Sequence, residues 1–385
     1  MSFSAPTSPW LWVACAVLVP ALVSVLSVFY CAMLTLPDLG LLPQAYSTLV
    51  LLSPRDPLPH ASESTCRTID SDTPVQLPSL LDSPATVQLS VVVPAYNEAD
   101  RLEAMLTECI HYLETRPLAI DQPRITASDV DLGSYEVLIV DDGSKDDTAK
   151  VALQLSRKLH AQFGGKRGQV KVAKLRRNRG KGGATKHGVM HAAGHHILFV
   201  DADGASHFPD LALLEAALDR LETQQRRTSA KLPPHGVIVG SRAHLLRTEA
   251  VVKRSFLRNF LMRCFHAYLH LLGIRAIRDT QCGFKLSTRA SAAHLYPSLH
   301  SPSWIFDCEL LLLASLAGVP LREVGIRWHE VDGSKVDLIK DSIKMAVDLL
   351  VIRGNYLFGR WKRPAHVDVV DGGEDESAEE ERKKR

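Results

Sequence analysis

Hydrophobic and polar positions divide the chain into three textures. From Met1 to Pro37 no side chain is charged, and Trp10 to Leu36 is apolar almost throughout. A helix needs about 20 such residues to cross the hydrocarbon core, so the run predicts one transmembrane anchor over 1–37. Trp10 and Trp12 suit the aromatic belt at one interface, and a membrane helix tolerates Pro20 in mid-span. A cleaved signal peptide is the other reading, but no basic n-region precedes the run, which exceeds an h-region of about 7–15 residues. Arg55 and Arg67 follow the span while no Lys or Arg precedes it. The positive-inside rule then places the bulk of the chain in the cytosol.

The second texture, 38–86, predicts a linker. Leu39 to Leu52 is apolar but interrupted by Pro43 and too short to span, and after Ser53 the composition turns to Pro, Ser, Thr and Asp. Such a stretch buries little. The third texture begins with Gln88 to Val93, a β-branched run stopped by Pro94, which predicts a strand. Asp100 to Glu114 predicts a helix, with Leu102, Met105, Leu106, Cys109, Ile110 and Leu113 at helical spacing. Strands at 135–140, 170–175, 195–200 and 237–240 alternate with helices at 148–160 and 181–194. Short buried strands alternating with helices mean βαβ units, hence an α/β catalytic domain over 87–362 built on a mostly parallel sheet flanked by helices. Segments 116–133 and 223–234 predict surface loops. The last residues, 363–385, predict a disordered acidic tail ending in Arg-Lys-Lys-Arg, a pattern similar to a dibasic retrieval signal.

Composition changes the picture mainly by exclusion. With 385 residues, 23% charged and a formal net charge of +2, the chain is neither a globally basic nucleic-acid binder nor an acidic disordered protein. Seven cysteines without CxxC pairs argue against a disulfide framework or a zinc site and fit a reducing compartment.

Candidate chemistry collects at the strand ends, where open parallel sheets bind ligands. Pro94-Ala-Tyr-Asn-Glu98 follows the first strand, Asp141-Asp-Gly-Ser144 the second, and Asp201-Ala-Asp203 the fourth. No GxGxxG is present, which argues against a dinucleotide-binding dehydrogenase. Asp201 and Asp203 flank a small residue and offer hard oxygen ligands to Mg²⁺ or Mn²⁺. Asp141 and Asp142 either cap the following turn or accept an N–H from a base such as uracil, with Tyr96 placed to stack on it. Arg176 to Gly183 is basic and Gly-rich and enters a helix, a combination that suits a diphosphate; a solvated basic turn is the plain alternative. It lacks Walker spacing.

The motifs VVVPAYNE, EVLIVDDGSKDDT, NRGKGGATKHG and FVDADG, in that order, resemble the family 2 glycosyltransferases with the GT-A (Rossmann-like) fold, over about Leu89 to Leu357. The downstream motifs VGSRAH, VVKRSFLRNF, RDTQCGFKLSTR, WIFDCELL and HEVDGSK narrow the resemblance to the dolichyl-phosphate β-glucosyltransferases within that family. The resemblance implies UDP-glucose as donor, dolichyl phosphate as acceptor and an endoplasmic reticulum membrane location serving N-glycosylation. It also implies roles. Pro94, Tyr96 and Glu98 line the nucleoside pocket with Asp141, and Asp142 faces the uracil. Lys181 approaches the diphosphate, while Asp201 and Asp203 hold the metal. Arg242 contacts the acceptor phosphate, with Arg254, Arg258 and Lys335 as further candidates. Asp307 is the place to look for a base or a contact to sugar hydroxyls.

A lipid acceptor also calls for a bilayer-facing surface. Segments 251–272 and 336–361 mix basic and large apolar residues at helical spacing and predict interfacial helices; ordinary packing onto the sheet is the other use of such faces. Three rival readings stay open: another polyprenyl-phosphate transferase such as a mannosyltransferase using GDP-mannose, a membrane-tethered nucleotide-binding scaffold without turnover, and a nucleotidyltransferase. A processive synthase would want several spans and a QxxRW motif, neither of which is found. Oligomeric state is not legible.

Overall fold

The computed structural model describes residues 63–69, 73–117, 130–131, 133–229, 232–243, 277–331 and 338–367, with 338–344 and 346 described by backbone alone. The expected anchor at 1–37, the segment 251–272 with Arg254 and Arg258, Lys335, and the tail from 368 lie outside the described residues. Among the described residues no helix is long and apolar enough to cross a membrane.

The body is a GT-A-like α/β fold. Its strands are β1 (Thr65–Thr68), β2 (Val75–Gln76), β3 (Val87–Ala95), β4 (Tyr135–Asp141), β5 (Gly168–Lys174), β6 (Gly194–Val200), β7 (Val237–Ser241), β8 (Phe284–Thr288) and β9 (Leu321–Gly325). The helices are α1 (Leu102–Thr115), α2 (Thr148–Phe163), α3 (Gly180–Met190), α4 (Leu211–Thr228), α5 (Arg289–Leu295), α6 (Phe306–Leu316) and α7 (Leu338–Leu357). All described strands form one sheet in the order β2-β1-β5-β4-β3-β6-β8-β7-β9. The centre, β5-β4-β3-β6, is parallel, while β8 runs antiparallel to both neighbours, so the sheet is mixed. The chain steps from β3 through β4 to β5 and then crosses back to β6 on the far side of β3. That reversal is a topological switch point, and it opens a crevice at the carboxyl ends of β3, β4 and β6.

Both faces of the central strands are covered, which explains their unbroken apolar runs. In β4, Val137 and Ile139 join Val91, Val93 and the buried stripe of α1 on one face. Leu138 and Val140 point the other way, into a cluster with Ala173 and Ala184. Glu136, the one charge on the interior of this strand, is buried at the amino-end side of the sheet. It accepts hydrogen bonds from Ser90 Oγ (2.5 Å), Ala193 N (2.6 Å) and Lys171 Nζ (2.6 Å), fastening β3, β5 and β6 to β4.

Two boundaries differ from expectation. The stretch 38–86 is not linker throughout, because β1 pairs antiparallel with β5 (Arg67 with Val172) and covers what would be its open edge. Cys66 and Leu77 enter the core beside Ala184, so a few apolar side chains suffice to dock a mostly polar segment. At the other end the chain stays with the body beyond 363: Val367 N donates to Ala317 O (2.8 Å). In the segment 336–361, α7 buries Leu349, Ile352 and Tyr356 against the body, while Leu357 and Phe358 stay exposed.

Candidate active site

The turns after β3 and β4 are laced together. Asn97 N donates to Ser144 Oγ (3.0 Å), Glu98 N to Thr148 Oγ1 (2.9 Å) and Lys145 N to Asn97 Oδ1 (2.8 Å). Pro94 sits in β3 and Tyr96 is half-buried just beyond it. Glu98 takes Arg101 in a bidentate pair, both contacts at 2.6 Å. Asp141 is wholly buried; its Oδ1 accepts from Ser144 N (2.8 Å), and its Oδ2 meets no hydrogen-bond partner among the described residues. Asp142 is buried as well. Its Oδ1 accepts from Arg179 N at 2.7 Å, and burial, helped by Asp141 and opposed by the Arg179 and Gly180 amides, pushes its carboxyl up to about 7.

The basic, Gly-rich turn into α3 is likewise not an open cradle of amides. Gly182 N (2.9 Å) and Gly183 N (3.3 Å) donate to Pro302 O, and Gly180 N donates to Asn178 Oδ1 (3.0 Å). A Cβ at Gly182 would collide with Ser301 O, so the glycine is there to let the 301–303 loop close over the helix start. Arg179 pairs with Glu63. The cation delivered to the crevice is Lys181.

Lys181 Nζ binds Asp201 Oδ1 at 2.7 Å, with the Trp304 ring 5.1 Å and the Phe199 ring 5.4 Å from it. Burial alone would lower its pKa, but Asp201 and Asp307 hold it above the ordinary lysine value. Asp203 Oδ1 accepts from Ala205 N (3.0 Å), and burial together with the neighbouring Asp201 charge raises its carboxyl. Two carboxylates sharing a half-buried strand end is an arrangement that a cation relieves. Gly283 makes the space: a Cβ there would collide with Asp201 Oδ2. The all-oxygen donor set and this cradle fit Mg²⁺ or Mn²⁺.

Arg242, at the end of β7, is mounted on Asp279. The carboxylate accepts from Arg242 N (2.9 Å), Nε (2.7 Å) and Nη2 (2.8 Å), and the guanidinium lies 5.4 Å over the Trp328 ring. Glu323 in turn accepts from the 278 and 279 amides at 3.1 and 3.0 Å. Burial by itself would raise Asp279, yet the Arg242 hydrogen bonds take it below the usual carboxylate range. Nη1 of Arg242 meets no hydrogen-bond partner among the described residues. Asp307, at the start of α6, pairs with Lys285 Nζ at 2.6 Å, both side chains 2% exposed.

Comparison with known proteins gives this crevice a family. The model of glycosyl transferase family 2 matches residues 90–240. The dolichyl-phosphate beta-glucosyltransferase of Saccharomyces cerevisiae is 45% identical over 275 residues, covering 71% of this chain and 76% of that protein. Those of Drosophila melanogaster (44% over 303 residues, 79% and 85%) and Homo sapiens (44% over 286 residues, 74% and 81%) agree. The chain belongs to the dolichyl-phosphate beta-glucosyltransferases of glycosyl transferase family 2. It is a glycosyltransferase. A solved glucosyl-3-phosphoglycerate synthase from Mycobacterium tuberculosis matches with a TM-score of 0.41 at 18% identity, over 69% of this chain and 80% of that chain, a likeness too slight to bear on the site.

For a glycosyltransferase of this family, the residues that sequence reasoning passed over are mostly partners. Asp279 and Lys285 lie within RDTQCGFKLSTR, Trp304 within WIFDCELL and Glu63 in the supposed linker. A signal existed for one pair. Lys285 is a lone cation in a strand buried along its whole length, and Asp307 opens a helix that is almost entirely buried. A buried cation in one such run calls for a buried acid in another, and α6 offers two, Asp307 and Glu309, of which Glu309 is taken by the His300 and Ser301 amides.

Proposed function

We propose that the protein transfers glucose from UDP-glucose to dolichyl phosphate with inversion, releasing UDP and dolichyl β-D-glucosyl phosphate for N-glycosylation. The catalytic body works at the cytosolic face of the endoplasmic reticulum membrane, tethered by the apolar run 1–37. The observation that carries the reading is the 45% identity to a relative bearing that activity in its name, over 76% of that relative. The crevice geometry supports it.

A divalent cation held by Asp201 and Asp203 would neutralise the charge that develops on the departing UDP oxygen. Lys181, bound to the same strand end, supplies a second positive charge for the diphosphate. The acceptor phosphate has a second pKa near 6 and is mostly ionised at neutral pH, so orienting it matters more than removing a proton. Arg242 is suited to orient it, because Asp279 fixes its Nε edge and Nη1 remains to bind a phosphate oxygen. Asp307 is not required as a base and is placed as the buried counter-charge of Lys285. Attack from the face opposite UDP inverts the α-linked donor to a β-linked product.

The test is donor competition in detergent: radiolabelled UDP-glucose and GDP-mannose, each offered with dolichyl phosphate. Transfer from UDP-glucose at a rate at least tenfold above that from GDP-mannose is the expected result. Preference for GDP-mannose would overturn the donor assignment, and nucleotide binding without any transfer would favour the scaffold reading.

A further inference from the structure

Lys181 and a divalent cation would claim the same carboxylate. The ammonium sits 2.7 Å from Asp201 Oδ1, between the faces of Trp304 and Phe199, with its side chain only 15% exposed. Water contributes little to its solvation there; carboxylates do. Asp307 acts on it from behind, and Asp307 is itself held by Lys285 at 2.6 Å. The row Asp203, Asp201, Lys181, Asp307 and Lys285 therefore sets three carboxylates against two ammonium groups. Lys181 thereby offsets most of the negative charge at the strand end, leaving the row with one carboxylate in excess. A divalent cation joining Asp201 and Asp203 sets two further positive charges beside an ammonium that has just lost its partner, in a site of low polarisability. Asp307 offers only a shared charge, because Lys285 already binds its Oδ1 at 2.6 Å.

We propose that Lys181 is a built-in counter-cation for the Asp201–Asp203 pair, surrendering Asp201 to the metal only when a diphosphate arrives to take the ammonium. The proposal rests on the reading that these two aspartates bind the metal. Its consequence is strongly coupled binding: the metal and a nucleoside diphosphate each bind weakly alone and tightly together, by the same factor in either order. Nucleotide-free enzyme would thereby be kept from holding a metal that could engage other anions.

The experiment measures Mn²⁺ affinity of the full chain in detergent, by electron paramagnetic resonance of free Mn²⁺, with and without UDP. Lys181→Met is expected to bind Mn²⁺ roughly tenfold or more tightly than the wild type when UDP is absent, and to lose most of the UDP enhancement. Lys181→Arg keeps the charge and is expected to stay close to the wild type. Lys181→Gln, read in the same way, replaces Lys181→Met should the latter fail to fold. Unchanged or weaker nucleotide-free Mn²⁺ binding in the neutral variants overturns the proposal. Asp203→Asn separates it from the reading beneath it: wild-type Mn²⁺ affinity with UDP in that variant would remove the metal assignment itself. Loss of Mn²⁺ by Asp203→Asn together with no gain in Lys181→Met would defeat only the role of Lys181.

Discussion

Asp307→Asn keeps the shape of the side chain at the start of α6 and removes the charge that pairs Lys285. Both groups are 2% exposed and 2.6 Å apart, so the variant leaves a buried ammonium without a counter-charge, with only neutral acceptors, the Cys282 carbonyl at 2.6 Å and the new amide oxygen. Removing one partner of a buried ion pair costs about 3–5 kcal/mol. At roughly 2 °C per kcal/mol for a domain of this size, the melting temperature should fall by about 5 °C or more. The measurement is thermal unfolding in detergent, followed by circular dichroism, beside a turnover assay on the same preparation. Asp307→Leu combined with Lys285→Met should recover most of the lost stability, because the desolvation of both charges disappears with them. A wild-type melting temperature for Asp307→Asn with abolished turnover would refute this reasoning and make the carboxylate a participant in the chemistry.

Arg242→Ala is expected to raise the KM for dolichyl phosphate at least tenfold more than that for UDP-glucose, with Asp279→Asn shifting it in the same direction by less; equal effects on both substrates would count against an acceptor role. For Asp142 the sign follows from its carboxyl ionising near 7 in the folded chain, against 3.8 for an unperturbed aspartate. Between those values the folded chain holds a proton that the unfolded chain has released, so stability declines as pH rises across the window and levels off above 7. The gap corresponds to at most about 4 kcal/mol, and the stability advantage of Asp142→Asn over the wild type should grow from pH 4 to 7; a pH-independent difference would contradict it. Deleting residues 1–62 should leave a folding body. Deletion through 86 should not, because Cys66, Leu77 and Leu80, each less than 5% exposed, contribute roughly 1.5–3 kcal/mol apiece; a soluble, cooperative 87–385 fragment would show that β1 is dispensable.

Local periodicity made much of the fold legible. The six apolar positions expected along α1 are the ones that it buries, and the central strands fall within a residue or two of the expected runs. The reason is physical: a strand covered on both faces must be apolar throughout, and a helix on such a sheet needs one continuous stripe. The strand-end acids were legible too, since a carboxylate directly after a buried run has few other places to go. What stayed hidden depends on pairs distant in sequence. Glu63 with Arg179, Arg242 with Asp279 and Lys285 with Asp307 are brought together by sheet order, which periodicity does not encode. The α3 amides looked available to a diphosphate because nothing local announces that Pro302, more than a hundred residues later, will take them. β1 was missed because a four-residue strand with alternating exposure reads as polar linker.

The central claim, metal-assisted glucose transfer to a lipid phosphate, is tested most directly by label transfer from radiolabelled UDP-glucose to dolichyl phosphate in detergent. The assay is run with a chelator, with Mg²⁺ and with Mn²⁺, for the wild type and Asp203→Ala. The account predicts a chloroform-soluble glucosyl lipid that forms only with a divalent cation and that Asp203→Ala reduces by about a hundredfold or more, on the order of 3 kcal/mol of transition-state stabilisation. Undiminished transfer in chelator, or near-wild-type transfer by Asp203→Ala, would contradict it.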